Sequence, residues 1–142
     1  MTVPRSKRHR VLHVTTALDF GGVETQLSLL AAQPGERFAH SFCALLKGGV
    51  EASKIRQSGA AVHILDIDPW ARPVGSFAAL LRLMRRLRFD VVHAHGSEAN
   101  IFALPAALVT GVPVRIGEEI GLPDHSLKMK LMLKAIFSTT HG

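Results

Sequence analysis

The sequence predicts an α/β fold, a Rossmann-like parallel sheet with helices on both faces. Three observations carry this. Short, mostly apolar runs alternate with longer helix-like stretches from residue 11 onward. The runs lack the strict polar–apolar alternation of a half-solvated strand, so they suit strands covered on both sides. Glycine and proline punctuate the junctions between runs.

Each element follows from local signals. Residues 11–16 form the first strand, bounded by a charged leader and a glycine turn. Residues 23–33 form a helix with Leu27, Leu30 and Ala31 at helical spacing, stopped by Pro34-Gly35. Residues 38–46 are the second strand, 50–57 a short helix ended by Ser58-Gly59, and 61–65 the third strand. Residues 66–75, with Pro69 and Pro73, read as a loop. Ser76 then precedes a helix over 77–88 whose Phe77, Leu80, Leu81, Met84 and Leu87 share one face. Residues 90–95 are the fourth strand. Ser97 is the expected N-cap of an almost wholly apolar helix over 98–110, kinked or interrupted by Pro105. Residues 113–116 are the fifth strand and 127–137 the last helix. The chain stops at residues 138–142, where the alternation calls for another strand. It therefore reads as a flexible basic leader, 1–10, followed by one domain, 11–142, truncated at its carboxyl end.

Composition narrows the class. A chain of 142 residues, 47% hydrophobic and 20% charged, supports one packed core and is not disordered. Cys43, the one cysteine, sits in an apolar run and reads as a buried hydrophobe, not a nucleophile. No long apolar stretch follows the basic leader as in a signal peptide. Residues 99–114, the longest stretch without Asp, Glu, Lys or Arg, are too few to span a bilayer. A soluble or peripheral cytoplasmic protein follows. The net charge of +6 gathers in the leader, in Arg82, Arg85, Arg86 and Arg88, and in Lys128, Lys130 and Lys134. No aromatic residues interleave with these to stack bases, so nucleic acid is not an expected partner. The helix with Arg82, Arg85 and Arg86 is a candidate for peripheral contact with anionic membrane.

In an open α/β sheet, ligands bind beyond the carboxyl ends of the strands. Four loops qualify: residues 17–22, 47–49, 95–97 and 117–121. Gly21 and Gly22 open the first helix and leave bare N–H groups suited to a phosphate. They match neither a Walker loop nor G-x-G-x-x-G. Glu24 lies in the first turn, where the helix dipole favours a carboxylate in any case. His93 and His95 share a side of the fourth strand, but a third ligand with suitable spacing is missing, so no metal is expected. His95 ends its strand and meets a ligand, whereas His93 and His13 read as core histidines. Glu118 and Glu119 follow the fifth strand, and alternation lets only one of them face the cleft.

Taken together, VLHVTTALDFGGVETQLSLLA, FDVVHAHGSEANIFALPAALVTGVPV and EEIG resemble the amino-terminal domain of family 4 glycosyltransferases of the GT-B fold. The resemblance runs from Arg10 to Phe137, with the GGVE turn and the DVVHAHG strand end most specific. It implies a hexosyltransferase-like enzyme of cell-envelope polysaccharide synthesis that moves sugar from a nucleotide-sugar to a glycan or lipid-linked acceptor. Transfer retains configuration and needs no metal or other cofactor. It also implies a second domain that holds the donor and carries two glutamates separated by seven residues. These 142 residues contain no such pair, so the fragment alone is expected to be inactive. Gly21 and Gly22 would face the donor phosphates; His95, Ser97 and Glu118 would line the acceptor side. In many members the loop after the fifth strand reads like TEHG, its histidine touching the transferred sugar. Ile120 stands there in this sequence, which passes the polar, catalytic work to Glu119. The alternative is a stand-alone flavodoxin-like binding or regulatory module. Asp66 suits a receiver domain, but a first strand ending in Thr15-Thr16 lacks its acidic cluster.

Overall fold

The computed structural model describes residues 7–119 and 126–140. Ten elements alternate along the chain: β1 (His9–Leu18), α1 (Gly22–Ala32), β2 (Phe38–Gly48), α2 (Val50–Gln57), β3 (Ala61–Ile64), α3 (Pro73–Leu87), β4 (Val91–His95), α4 (Ser97–Val109), β5 (Val114–Glu118) and α5 (Leu127–Phe137). The strands form one parallel sheet in the order β3-β2-β1-β4-β5. This is the Rossmann order. A flavodoxin-like sheet would place its first strand between the second and the third, so the alternative topology is excluded.

β1 begins at His9, two residues earlier than expected, which moves His9 and Arg10 from the leader into the sheet. The reason is hydrogen bonding at its start: His9 N–H donates to Arg37 C=O (2.9 Å) and Arg10 N–H to the Asp90 carboxylate (2.8 Å). β1 and β4 pair only from Val11↔Val91 to Val14↔Ala94, although both strands continue. A register irregularity between Thr15 and Ala17 disturbs β1 at the same level. A crevice opens there, where the strand order reverses.

Two helix starts differ from expectation. α3 starts at Pro73, because proline has no N–H to lose at a first helical position and its φ is already helical. Ser76 is thus inside the helix and fully buried, not before it. Asp68 shortens the expected loop by accepting from the N–H groups of Trp70 (2.9 Å) and Ala71 (3.2 Å). α4 is capped by Gly96, at φ 88°, and Ser97 is its first residue. Pro105 lies inside α4, which nonetheless runs as one helix. Burial on nearly all sides, with Ala99, Asn100, Phe102, Ala103, Leu104, Ala106 and Ala107 in the interior, holds it together.

Side chains alternate across the sheet and make two cores. Leu12, Val14, Cys43, Leu45, Val92 and Ala94 pack beneath α3 and α4, with Phe137 of α5 against the same cluster. Phe42 and Ala44 pack on the other face with Leu27 of α1 and Ala52 and Ile55 of α2. Burial pushes the Cys43 thiol up to about 12, so it is protonated and unreactive. The apolar face of α3 is spent on the first core, where Leu80, Leu83 and Met84 are buried and Phe77, Leu81 and Leu87 pack at the margin. Its exposed side is left with arginines. Among the described residues no helix is long and apolar enough to cross a membrane.

β5 meets α4 and α5 closely at Gly117. A Cβ there would overlap the Phe137 ring and come within 2.9 Å of Leu104 Cδ1 and 3.0 Å of Asn100 Oδ1. Gly117→Ala should therefore lower stability by about 1–3 kcal/mol, the usual cost of overpacking. Gly22→Ala, where a Cβ meets nothing within 4 Å, should change it little. Denaturant midpoints of the two variants check the contrast; equal shifts would show that α5 yields freely.

Candidate functional site

The crevice between β1 and β4 is the mouth of a cleft of about 580 Å³. Thr15 and Thr16 of β1, His95 and Gly96 after β4, and Glu118 and Glu119 at the end of β5 line one side; Gly22, Val23, Glu24 and Gln26 of α1 line the other. A larger groove, about 680 Å³, lies at the sheet edge between β3 and α3, where Arg82, Arg86 and His63 are its polar side chains. The smaller cleft is the candidate site, since it sits at the reversal of strand order and gathers carboxylates, imidazole and an uncapped helix end.

Strand register assembles its floor. His13 is the Cα partner of His93, and His95 lies two residues on, so all three rings share one face of the sheet. His40 of β2 is on that face too, two residues before Phe42, the other partner of His13. Glu118 sits opposite His95 on β5. The outcome is a row of hydrogen bonds running through the sheet face. His95 Nδ1–H donates to Glu118 Oε2 (2.7 Å), because a carboxylate only accepts. His95 Nε2 is then the acceptor for His13 Nδ1–H (3.1 Å), and His13 Nε2 for His40 Nδ1–H (2.9 Å). His93 stacks on His95 with ring centroids 3.9 Å apart and reaches Glu118 Oε2 at 3.5 Å. His13 and His95 are buried at 4% and 6% exposure, whereas the Glu118 side chain is 48% exposed. His13 and His93 lie behind His95 and are not part of the cleft's lining; His13, buried with both ring nitrogens bonded, has the satisfied core role expected of it.

The two glutamates both line the cleft. β5 ends at Glu118, so the alternation expected to separate them stops before Glu119. Glu119 turns toward α4: Ser97 Oγ–H donates to its Oε2 (2.9 Å) and Asn100 Nδ2–H to its Oε1 (2.8 Å). Asn100, fully buried, also donates to the Glu118 carbonyl (3.1 Å), and Gly96 N–H donates to the same oxygen (2.8 Å). Ser97, expected as a cap, instead holds Glu119.

At the other wall, Gly21 caps α1 at φ 156° and, being glycine, gives the helix no side-chain cap. A Cβ on Gly21 would collide with the Glu24 carboxylate, which lies over this turn. The loop at residues 47–49 does not line the cleft; Lys47 pairs with Asp19 at 3.2 Å. Ile120 and Gly121 lie outside the described residues. His40, Asn100 and the pairing of His13 with His95 are what sequence reasoning missed. Only Asn100 left a signal, as a single amide within an otherwise apolar helix.

A family model, the glycosyl transferase 4-like domain, matches residues 6–133. No curated protein and no solved structure matches the chain.

The histidine row is electrostatically costly to charge. Burial above all, then the positive potential of its neighbours, lowers His13 to about 2. Burial and His95 lower His93 to about 4, against an opposing pull from Glu118. His95 and His40 are lowered too, mainly by burial. Below the ordinary histidine value near 6.5, the unfolded chain takes up protons that the folded chain refuses, so stability is full above that value and falls with pH. His13, whose value falls furthest, contributes a slope of up to about 1.4 kcal/mol per pH unit below the ordinary value. Urea midpoints in metal-free buffer should decline from pH 7 to pH 5, and His13→Phe should flatten that slope. An unchanged slope in His13→Phe would mean that this imidazole is protonated in the fold.

Proposed function

We propose, from the premise that the chain belongs to the glycosyl transferase 4-like domain family, that it is the acceptor-side domain of a retaining glycosyltransferase. Its role is in glycosyl transfer, with sugar-related substrates. The finer reading is transfer from a nucleotide-sugar to a glycan or lipid-linked acceptor, as a hexosyltransferase of cell-envelope polysaccharide synthesis, in the cytoplasm and with no metal in the transfer step. The donor is held by a partner domain across the cleft.

The observation that carries this reading is the cleft itself: two carboxylates and an imidazole facing an uncapped helix end. When the bond from the sugar to the donor phosphate breaks, negative charge builds on the diphosphate. The N-terminus of α1 at Gly21 and Gly22 favours that charge once the Glu24 carboxylate swings off the turn. Glu118, half exposed and oriented by His95, accepts a hydrogen bond from the acceptor hydroxyl. Glu119, held by Ser97 and Asn100, receives a hydroxyl of the transferred sugar. It supplies the polar contact that Ile120 lacks.

A protein carrying both domains tests these roles. Glu119→Gln should lower kcat by about ten- to a hundredfold, the worth of one hydrogen bond to a charged group. Glu118→Gln should mainly raise the acceptor KM. Equal, small effects on both parameters would make the pair a solvated loop. The exposed arginines of α3 carry a second expectation, a purely electrostatic contact with anionic lipid of about 1 kcal/mol per residue. Sedimentation with anionic vesicles should vanish in high salt and in the triple variant neutralising Arg82, Arg85 and Arg86. Sedimentation that survives both would place membrane contact elsewhere.

A further inference from the structure

We propose that His13, His93 and His95 form a binding site for a divalent first-row transition metal of the zinc class, held between β1 and β4 beneath the cleft. The inference goes beyond the glycosyl transfer reading and does not rest on it.

Three observations carry it. First, the two strands bring one ligand atom from each histidine to within 4.8 Å of the others. Second, His13 Nδ1 and His95 Nε2 are 3.1 Å apart. Two nitrogens bound to one tetrahedral ion at ordinary zinc distances stand about 3.3 Å apart, so the separation of this pair fits, and the two rings need only turn to aim their lone pairs at a common ion. His93 completes the group, its ring 3.9 Å from that of His95 between centroids. Third, both buried ligands have their second nitrogen already engaged. His95 Nδ1 is held by the Glu118 carboxylate at 2.7 Å, and His13 Nε2 lies 2.9 Å from His40 Nδ1. A carboxylate behind a histidine orients the ring and raises its basicity, the usual outer shell of a metal-bound imidazole.

The donor set selects the ion. Three imidazoles suit zinc, copper, nickel or cobalt, and offer nothing to magnesium or calcium, which take oxygen ligands. Cys43 packs in the core on the opposite sheet face and is not a fourth ligand. On binding, the proton of His13 moves to Nε2 and is donated to His40 Nδ1, whose own proton passes to its Nε2, so that hydrogen bond is kept in the reverse direction.

The test is metal titration of the untagged, chelator-treated chain against a chromophoric competitor. Zinc should bind at one ion per chain, and cobalt should give the intense visible bands of a four-coordinate site with three histidine nitrogens and one water. His93→Gln and His95→Gln should each weaken zinc binding by at least about tenfold, and Glu118→Gln by about ten- to a hundredfold as an outer-shell loss. His9→Gln, an exposed histidine away from the cluster, should bind as the unaltered chain does. His93 is partly exposed, so circular dichroism can establish that its variant still folds. Absence of stoichiometric zinc, the pale spectrum of hydrated cobalt, or equal affinity in His93→Gln and His95→Gln would overturn the site.

Discussion

The parallel pairing of β1 with β4 is the constraint on which the rest of this molecule depends. It joins the two halves of the sheet, and it holds for four residue pairs before the strands part. The parting makes the cleft. The register makes the floor, because pairing His13 with His93 obliges His95 and Glu118 to stand on the same face. A one-residue slip would move His93 and His95 to the opposite face and into the core beneath α4. Burying imidazoles there without partners would be costly, so the polar row and the strand register support one another.

α4 is the second fixed point. It lies between α3 and α5 and has little surface left for water, which explains how it tolerates Pro105. Its one buried amide, Asn100, reaches the end of β5 and grips both the Glu118 carbonyl and the Glu119 carboxylate. Gly117 is narrow because Asn100, Leu104 and Phe137 approach it so closely. The carboxylates at the cleft are thereby positioned from behind by a rigid helix, the arrangement that an exact substrate geometry demands.

The cleft combines groups of opposite use. In the proposed reading the N-terminus of α1 favours an anion while Glu118 and Glu119 accept hydroxyls. A ligand with a phosphate at one end and hydroxyls at the other would then suit both walls once Glu24, which lies over Gly21, moves aside. The histidines beneath carry no positive charge near neutral pH, so they add hydrogen bonds and ligand nitrogens without adding attraction for phosphate.

By itself the sequence determined the fold class, the order of all ten elements and the cleft-bearing end of the sheet. Those features rest on local signals: apolar runs, glycine and proline breaks, and the rule that strand ends bind ligands. α2 and α5 match their expected bounds, since Ser58-Gly59 and the apolar spacing of residues 127–137 are unambiguous. Where two local signals competed, only tertiary structure chose. Pro73 prevailed over Ser76 as the start of α3 because proline suits the first helical turn, and Ser76 is buried within the helix. Ser97 gave up capping because Glu119 lay within reach. The site itself was half legible: His95, Ser97, Glu118 and Glu119 are visible at strand ends, whereas His13, His40 and Asn100 are not. Their partners lie 18 to 82 residues away. Such pairings depend on strand order and register, which hydrogen bonds between distant segments set, and no local pattern along the chain encodes them.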